Sequence, residues 1–294
     1  MQTTNIQQFN SCQDKSVNFV FTGDYPGKME ARYVRRKDYY LACYLSSQTG
    51  CNQVCKMCHL TATKQFAMVD VDVDGYMQQA EEVLRYYRTQ NQPAKVIHFN
   101  FMARGEALNN QNLVKEGDYE ILESLAKLAW SHKLHPRFNI STIMPKQFSE
   151  MELIDRFPII YPDFYYSIYS VSDEFRQEWL RNAMPVDAAL DKLYRWQEVT
   201  KKIVKLHWAF IKGQNDSAGD VLNLCHRIKN SKLKCDINIV RYNPHSQEYG
   251  EESDEKTFEC NLKYMEGVLP SNTKIDIIPR VGYDVAASCG MFAI

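Results

Sequence analysis

The 294-residue sequence predicts an α/β protein in which a parallel sheet is covered by helices. Two observations carry this prediction: short apolar or β-branched runs recur along the chain, and helix-like stretches separate most of them. Alternating strands and helices are typical of a parallel sheet with its helices packed outside. The six predicted strands are residues 39–45, 95–101, 137–143, 164–169, 204–211 and 235–240.

Two of the intervening stretches carry an apolar stripe at helical spacing. The stripes consist of Tyr76, Ala80, Val83, Leu84 and Tyr87, and of Ile121, Leu122, Leu125, Leu128 and Ala129. Further along, residues 254–267 form another amphipathic stretch, which precedes a strand-like run at 274–278. We expect this last pair to close the end of the sheet.

Composition excludes some classes of protein. Hydrophobic residues make up 45% of the chain and no apolar run is long enough to cross a bilayer, so we expect no membrane contact. Residues 1–10 are polar and lack the basic lead and apolar stretch of a secretory signal, which predicts a cytoplasmic protein. Nine cysteines in such a chain indicate thiols, metal ligands or catalysis more than a disulfide framework. Four of them, Cys12, Cys225, Cys235 and Cys260, lie in no motif and are interpreted as packing or surface residues.

A net charge of −1 is unlike that of a protein devoted to nucleic acid, so any RNA contact requires a local basic patch. One segment offers such a patch, because its cations alternate with aromatic rings that can stack on bases. It contains Arg32, Arg35, Arg36 and Lys37 with Tyr33, Tyr39 and Tyr40. The alternative is a solvated basic edge beside a strand.

Polar or reactive residues follow several predicted strands at the point where each strand ends. Cysteines of residues 51–58 follow the first strand, Gly105 and Glu106 follow the second, Ser141 ends the third, Ser167 ends the fourth and Asn243 follows the sixth. Ligands of parallel α/β sheets bind at the carboxyl ends of the strands, so we expect these residues to converge on one face.

Cys51, Cys55 and Cys58 have the spacing CxxxCxxC, which lets three thiolates of one loop bind three irons of a four-iron cubane. Electron-transfer clusters usually have four cysteine ligands. Three ligands leave one iron open, where S-adenosylmethionine can chelate and be cleaved reductively to a 5′-deoxyadenosyl radical. The alternatives are a structural zinc site with His59 as fourth ligand and chance clustering of ordinary thiols.

The segments after residue 40 resemble, in the same order, motifs of the radical S-adenosylmethionine (radical SAM) RNA methyltransferases RlmN and Cfr. The run from Cys43 to Cys51 resembles the family's Cys…SSQxGC lead-in, and Arg104-Gly-Glu106-Ala-Leu-Asn-Asn resembles its GMGEPLxN loop. Further matches are Ser141-Thr142, Ser167-Ile-Tyr169 with Asp173-Glu-Phe-Arg, Lys212-Gly-Gln-Asn-Asp216, Ile239-Val-Arg-Tyr-Asn243-Pro244 and Asp284-Val-Ala-Ala-Ser-Cys289-Gly290.

The resemblance implies a partial (β/α)6 barrel of the radical SAM type. Its expected parts are an N-terminal extension over residues 1–38, the barrel over 39–250, and a C-terminal segment over 251–294 that caps the barrel and carries Cys289. The implied cofactors are a [4Fe–4S] cluster and S-adenosylmethionine, and the implied partners are ribosomal or transfer RNA and a reductant such as flavodoxin or ferredoxin.

The resemblance also implies roles for single residues. Gly105, Glu106, Ser141, Ser167 and Asn243 match segments that bind S-adenosylmethionine, with Glu106 accepting from its amino group and Ser167 and Asn243 contacting its carboxylate or ribose. Cys289 matches the cysteine that the family methylates, activates by hydrogen abstraction from that methyl, and uses to add a methylene radical to adenine. Cys43 is the candidate for the second thiol, which acts as base and disulfide partner when the product is released.

The sequence departs from the family pattern at several places. Cys43 lies eight residues before Cys51 where the family has seven, and one extra strand residue turns a side chain to the opposite face. Ala107 replaces the family's proline and Tyr169 its histidine. About forty residues precede the first matched strand, too few for the helical accessory domain that helps relatives of the RlmN type bind RNA.

Three functions are therefore compared. The first is a methyl synthase that acts on an adenine in ribosomal or transfer RNA, at carbon-2 by default and with carbon-8 possible. The second keeps the cluster and the radical but acts on another acceptor, such as a nucleotide, another nucleic acid or a protein. The third is a non-catalytic zinc or RNA-binding module in which the cysteines are structural.

Overall fold

The computed structural model describes residues 4–23, 25–117 and 119–293. Within them, one sheet of ten strands runs through the molecule with its strands in chain order. The strands are β1 (Asn5–Asn10), β2 (Val17–Thr22), β3 (Met29–Lys37), β4 (Tyr40–Leu45), β5 (Val96–Phe101), β6 (His135–Thr142), β7 (Asp163–Ser167), β8 (Val204–Trp208), β9 (Cys235–Val240) and β10 (Ile275–Ile278).

Eight α-helices occur in the described ranges, and all of them lie between successive strands from β4 to β10. They are α1 (His59–Ala62), α2 (Val73–Thr89), α3 (Glu120–Ser131), α4 (Leu153–Arg156), α5 (Asp173–Trp179), α6 (Val186–Thr200), α7 (Ala218–Asn230) and α8 (Glu255–Val268). None of the described helices is long and apolar enough to cross a bilayer.

The sheet changes from antiparallel to parallel at β4. Strands β1 to β4 pair as antiparallel neighbours, and each strand from β4 to β10 is parallel to the next. The six predicted strands are confirmed as β4 to β9, and the run at 274–278 is confirmed as β10, parallel to β9. An open parallel sheet with its helices outside is the predicted partial barrel.

The strands β1 to β3 were not predicted. Buried β2 reads VNFVFT and is short, while the nine residues of β3 include Glu30 and four cations, which hide a strand pattern in a window of sequence. Burial in the folded protein stabilises β3 as a strand, because six of its nine residues are buried.

Strand residues alternate between the two faces of the barrel wall. In β4, Cys43 packs into the apolar core under the helices, whereas Tyr44 faces a central cavity. Their partners in β5 follow the same rule: Phe99 opposite Cys43 lies in the core, and Asn100 opposite Tyr44 lines the cavity.

The helices pack on the outer face through the stripes that the sequence shows. Helix α2 begins after Asp72, whose carboxylate accepts a hydrogen bond from the Gly75 amide at 3.0 Å. Its residues Tyr76, Ala80 and Val83 are fully buried against the sheet.

The C-terminal residues 280–293 leave β10 and cross β2 and β3. Asn18 of β2 donates from Nδ2 to the Val285 carbonyl at 3.1 Å. Arg32 of β3 donates to the carbonyls of Ala287 at 3.1 Å and Met291 at 2.6 Å. We call residues 280–293 the tail; these contacts pack it against β2 and β3.

A buried ionic network fixes the tail. The Glu30 carboxylate is fully buried and lies 2.8 Å from Arg104 and 3.2 Å from Arg32. Its Oε1 also accepts from the Ala293 amide at 2.9 Å, and Arg104 donates to the Ala293 carbonyl at 3.2 Å. The ring of Phe292 lies under both guanidiniums, with its centroid 5.0 Å from Arg32 and 5.9 Å from Arg104.

We predict that Glu30→Gln destabilises the apoprotein by about 3–5 kcal/mol, because it leaves two buried guanidiniums without their carboxylate. Urea unfolding followed by circular dichroism measures the change. Glu259→Gln, an exposed carboxylate on α8, is the control and should shift the unfolding midpoint little. Equal midpoints for the two variants would contradict a structural role of the network.

Candidate active site

Two cavities adjoin in the barrel. The smaller, which we call the cysteine cavity, has a volume of about 140 Å³ and lies at the carboxyl ends of β4 to β7. It is lined by Cys51, Cys55, Cys58, Gly105, Glu106, Ser141, Thr142, Ser167 and Phe292, among others. The larger, which we call the lumen, has a volume of about 600 Å³ inside the sheet and is lined in part by Tyr44, Ser141 and Cys289. Ser141 thus borders both.

The loop after β4 carries the three cysteines in a fixed turn. The Cys51 amide donates to the Gln65 carbonyl at 3.0 Å, and the Cys58 amide donates to the Cys55 carbonyl at 3.0 Å. Gly50, just before the loop, has its Cα so close to the Ala67 carbonyl oxygen that a Cβ would lie 2.2 Å from it. Only glycine fits this approach.

Burial keeps the three thiols protonated in the absence of a cation. It raises the pKa of Cys51 to about 12 and of Cys58 to about 11, and it raises the pKa of Cys55 well above its usual value. Metal ions bind the thiolate and displace the proton, so a cation must bind these thiols strongly enough to offset the cost of removing their protons.

The arrangement fits a cluster better than one zinc ion. Among the described residues, no group of three or more His, Cys, Asp or Glu side chains is arranged around a single ion position. Zinc needs such convergence, whereas a cubane spreads three thiolates over three different irons. The Nε2 of His59, the fourth ligand of that alternative, lies 3.1 Å from the Asn243 carbonyl oxygen.

Glu106 is a buried carboxyl at the end of β5. Its oxygens accept from the amides of Leu108 at 3.2 Å and Ile143 at 3.1 Å, while Gln48 Oε1 accepts from the Glu106 amide at 3.1 Å. Burial outweighs these hydrogen bonds and raises the pKa of Glu106 from 4.5 to about 7. A carboxyl held in this state is ready to pair with an ammonium group that enters the cavity.

Gly105 allows that position. Its φ of +92° lies in the left-handed region, and a Cβ there would lie 2.7 Å from the Gln48 backbone nitrogen. Ser141 and Ser167 place their side chains on the other walls of the cysteine cavity. Four of the five predicted cofactor-binding residues therefore meet beside the cysteines.

Asn243 has a different position from the one expected. It is not among the lining residues of either cavity; its Nδ2 donates to the Cys289 carbonyl at 2.9 Å and its Oδ1 accepts from Arg280 Nε at 2.7 Å. The His59 amide donates to the neighbouring Gly290 carbonyl at 2.9 Å. In the structure Asn243 thus holds the tail at Cys289.

Cys289 faces the lumen. Its surface is exposed to the cavity, yet protein atoms surround it, and this enclosure raises the pKa of its thiol while the charges of Arg32 and Arg36 lower it. The residue after Cys289, Gly290, accepts at its carbonyl from the amide of His59, which directly follows Cys58. The structure therefore places Cys289 near the cysteine cavity.

Cys43 does not reach either cavity. It is fully buried in the core under the helices, where burial raises the pKa of its thiol, and it sits opposite Tyr33 of β3 and Phe99 of β5. The structure therefore does not bring Cys43 to the site where a second thiol is expected, and Tyr44 occupies the lumen-facing position next to it. The reason is the one-residue offset, which no bulge at this point of β4 absorbs.

Sequence reasoning missed the residues that support the site. Glu30 and Arg104 are fully buried, but in a sequence they read as ordinary charged residues. Phe292 belongs to no motif, and His59 was considered only as a zinc ligand. Only Arg104 had a signal, because it opens the segment that contains Glu106.

Known proteins resemble this chain. No protein-family model matches it. The chain is 20% identical over 280 residues to a probable dual-specificity RNA methyltransferase RlmN of Streptococcus pneumoniae, which covers 94% of this chain and 74% of that protein. It is 27% identical over 258 residues to the ribosomal RNA large subunit methyltransferase Cfr of Staphylococcus aureus, with 84% of this chain and 67% of that protein covered.

The fold also matches solved structures. A radical SAM methyltransferase from Sphaerobacter thermophilus superimposes with a TM-score of 0.80 at 16% identity, covering 99% of this chain and 80% of that one. HydG, a maturase of the [FeFe]-hydrogenase, superimposes with a TM-score of 0.54 at 11% identity over 82% of this chain and 52% of that one. The chain therefore has a radical SAM fold. Together with the curated relatives, this supports an enzyme that uses a [4Fe–4S] cluster and S-adenosylmethionine.

We predict that Glu106→Gln makes the apoprotein less sensitive to pH. The raised pKa of folded Glu106 means that its contribution to stability is present below pH 4.5 and is lost as pH rises to about 7. The shift corresponds to a loss on the order of 3 kcal/mol, which glutamine does not undergo. Urea unfolding at about pH 5 and about pH 8 measures it.

As the pH rises from about 5 to about 8, the free energy of unfolding of Glu106→Gln should increase relative to that of the unmodified chain. Glu259→Gln serves as the control, since an exposed carboxylate gives no such trend. A constant difference between Glu106→Gln and the unmodified chain would contradict the raised pKa.

We predict that Cys43→Ala retains iron binding and loses only about 1 kcal/mol of stability, because the thiol lies in the apolar core. Cys225→Ala, another buried core cysteine, is the matched control. Iron content and the urea midpoint measure both effects. Loss of product formation in Cys43→Ala alone, at a midpoint equal to that of Cys225→Ala, would restore Cys43 to the mechanism.

Proposed function

We propose, from its resemblance to the radical SAM methyltransferases RlmN and Cfr, that the chain is a methyl synthase that carries a methyl group on Cys289 and delivers it to an adenine in ribosomal or transfer RNA. The observation that carries this proposal is the position of Cys289 in the lumen, where the next residue, Gly290, binds the His59 amide beside the cysteine loop. A methyl carrier must reach both the place where the methyl arrives and the place where the acceptor lies.

The cysteine cavity supplies the first of these places. Cys51, Cys55 and Cys58 would hold the cluster, and Gly105, Glu106, Ser141 and Ser167 would bind S-adenosylmethionine beside it. When bound, these two groups supply the methyl group and the organic radical that the reaction needs. A reductant such as flavodoxin or ferredoxin would provide the electron.

Glu106 would contribute binding through its charge. Its pKa of about 7 in the empty cavity falls when an ammonium group pairs with it, because a nearby positive charge favours the carboxylate. The amides of Leu108 and Ile143 then hold the carboxylate in place. Gly105 keeps this loop against Gln48.

Cys289 must lose its thiol proton before its sulfur accepts a methyl group. Burial opposes this loss, while the guanidiniums of Arg32 and Arg36 favour the thiolate. The sulfur is held in position through the backbone: Asn243 binds the Cys289 carbonyl, and the His59 amide binds the Gly290 carbonyl. The tail therefore presents a fixed sulfur to the lumen.

An RNA acceptor is supported by the names of the relatives, which are RNA methyltransferases. The choice of adenine rests on the resemblance of the sequence motifs. Carbon-2 is the default position, because it is the commoner housekeeping activity of the resembled family. The family members that methylate carbon-8 share the quoted motifs, so the motifs do not distinguish the two positions.

A second candidate is a radical SAM enzyme with a different acceptor. It is favoured by the side chains at the place where the resembled family has its second thiol. Cys43 faces the core and Tyr44 faces the lumen, so the lumen lacks a thiol at that strand position. Release of the product would then need another group.

We predict that anaerobically purified and reconstituted protein carries one methyl group on Cys289, and that Cys289→Ala removes it while iron binding persists. Intact-protein and peptide mass spectrometry measure the methyl group. Cys260→Ala, an exposed cysteine on α8, is the matched control and should keep the modification. RNA from cells with and without the gene is then digested and compared for 2-methyl- and 8-methyladenosine.

Two results would decide against the proposal. If iron binds and Cys289 is never methylated, the methyl-carrier function is wrong and the second candidate replaces it. If Cys55→Ala binds as much iron as the unmodified chain, the cysteine cavity is not the cluster site.

A further inference from the structure

The lumen carries more positive charge than the chain as a whole. Its described lining includes six arginines and lysines and one carboxylate, that of Asp276, although the net charge of the chain is −1. The basic residues are Arg32, Arg36, Lys37, Lys205, Arg241 and Arg280. A cavity lined by one sign of charge attracts ligands of the opposite sign.

Three of these cations are already paired. Arg32 pairs with Glu30, and both Arg241 and Arg280 lie 2.9 Å from Glu252. The charges of these three arginines are therefore balanced by carboxylates of the protein.

The other three cations, Arg36, Lys37 and Lys205, form no ion pair with any carboxylate in the described ranges. Unpaired cations in one cavity repel one another, and an anionic ligand removes that cost. Lys37 is exposed at the cavity surface, whereas Lys205 is partly buried.

Arg36 of β3 and Lys205 of β8 both line the lumen, and both act on His207. The Lys205 ammonium lies 5.6 Å from the centre of the Tyr165 ring, which packs edge-on against His207. Burial, together with the positive charges of Lys205 and Arg36, lowers the pKa of His207 to about 3. His207 is therefore neutral, and the positive charge acting on it comes from Lys205 and Arg36.

The same region offers groups that recognise a flat heteroaromatic ring. Tyr40 and His98 stack with their ring centres 4.6 Å apart and line the lumen. Asn238 is 6% exposed, and its Oδ1 has no hydrogen-bond partner in the described structure. A buried acceptor without a donor is costly unless a ligand supplies one, and an exocyclic amino group does so.

We propose that Arg36 and Lys205, with Lys37 beside them, form a phosphate subsite of the lumen, which binds a single nucleotide as the methyl acceptor unit. This inference rests on the proposed function, because it takes the lumen as the acceptor site. A volume of about 600 Å³ is in the range of small-ligand pockets. The phosphate has two sources, a free nucleotide or one nucleotide of an RNA strand.

The test measures binding to the full-length, cluster-reconstituted protein under anaerobic conditions. Adenosine 5′-monophosphate, adenosine and a short single-stranded oligoribonucleotide containing adenosine are compared by titration calorimetry. We expect the monophosphate to bind about tenfold or more tightly than adenosine, since a charge-assisted contact to phosphate is strong.

Arg36→Gln and Lys205→Met are expected to weaken monophosphate binding about tenfold each and to leave adenosine binding within about twofold. Arg88→Gln on α2 and Lys263→Met on α8 remove the same charges from exposed positions outside the lumen and are the matched controls. Iron content and the urea midpoint confirm that each variant is folded.

The outcomes separate the sources of phosphate. Tighter monophosphate binding that depends on Arg36 and Lys205 supports a free nucleotide. Binding of the oligoribonucleotide alone, weakened by both variants and not by the controls, supports the same subsite with RNA as source. Equal binding of monophosphate and adenosine with no effect on the oligoribonucleotide, equal loss in the control variants, or no binding of any of the three overturns the subsite.

Methylation of Cys289 in the unmodified chain is measured separately by mass spectrometry. Its absence would remove the methyl-carrier function and leave the binding result intact. A normal methyl-Cys289 with no dependence of phosphate binding on Arg36 and Lys205 would remove the subsite and leave the proposed function intact.

Discussion

The buried carboxylate of Glu30 is the contact on which the functional parts of the molecule depend. It joins β3 to the loop after β5 through Arg104, and it joins both to the end of the tail through the Ala293 amide. A buried charge that keeps all its partners has one favourable arrangement, so the network fixes the tail in a single position. That position puts Phe292 in the wall of the cysteine cavity and Cys289 in the wall of the lumen.

Much of the parallel part of the fold could be predicted, because apolar runs and helical stripes report burial directly. Strands β4 to β10 and helices α2, α3 and α8 agree with those patterns. The three antiparallel strands could not, because β3 carries Glu30 and several cations whose partners are distant in sequence. Arg32 illustrates the difficulty: in the sequence it belongs to a basic patch, but in the structure it is buried against Glu30 and the tail.

The convergence of the site was also open to prediction, since strand ends of a parallel sheet meet at one edge. Glu106, Ser141 and Ser167 lie beside the three cysteines as that rule requires. Side-chain direction was harder to predict, because it depends on register to a single residue. For this reason the core-facing side chain of Cys43 differs from the expectation. Asn243 binds the tail instead of lining a cavity, and this contact could not be predicted because no sequence pattern reports the path of the tail.

The contact between β3 and the tail also sets an order of events during folding. Arg32 and Met291 are 259 residues apart, so closing their hydrogen bond requires nearly the whole chain to be in place. The loop with the three cysteines is synthesised long before the tail, and folding of the sheet precedes contacts of such long range. Until the tail docks, Phe292 would not close the cysteine cavity, and the loop would be accessible to iron and sulfide. Docking of the tail would then cover the cavity.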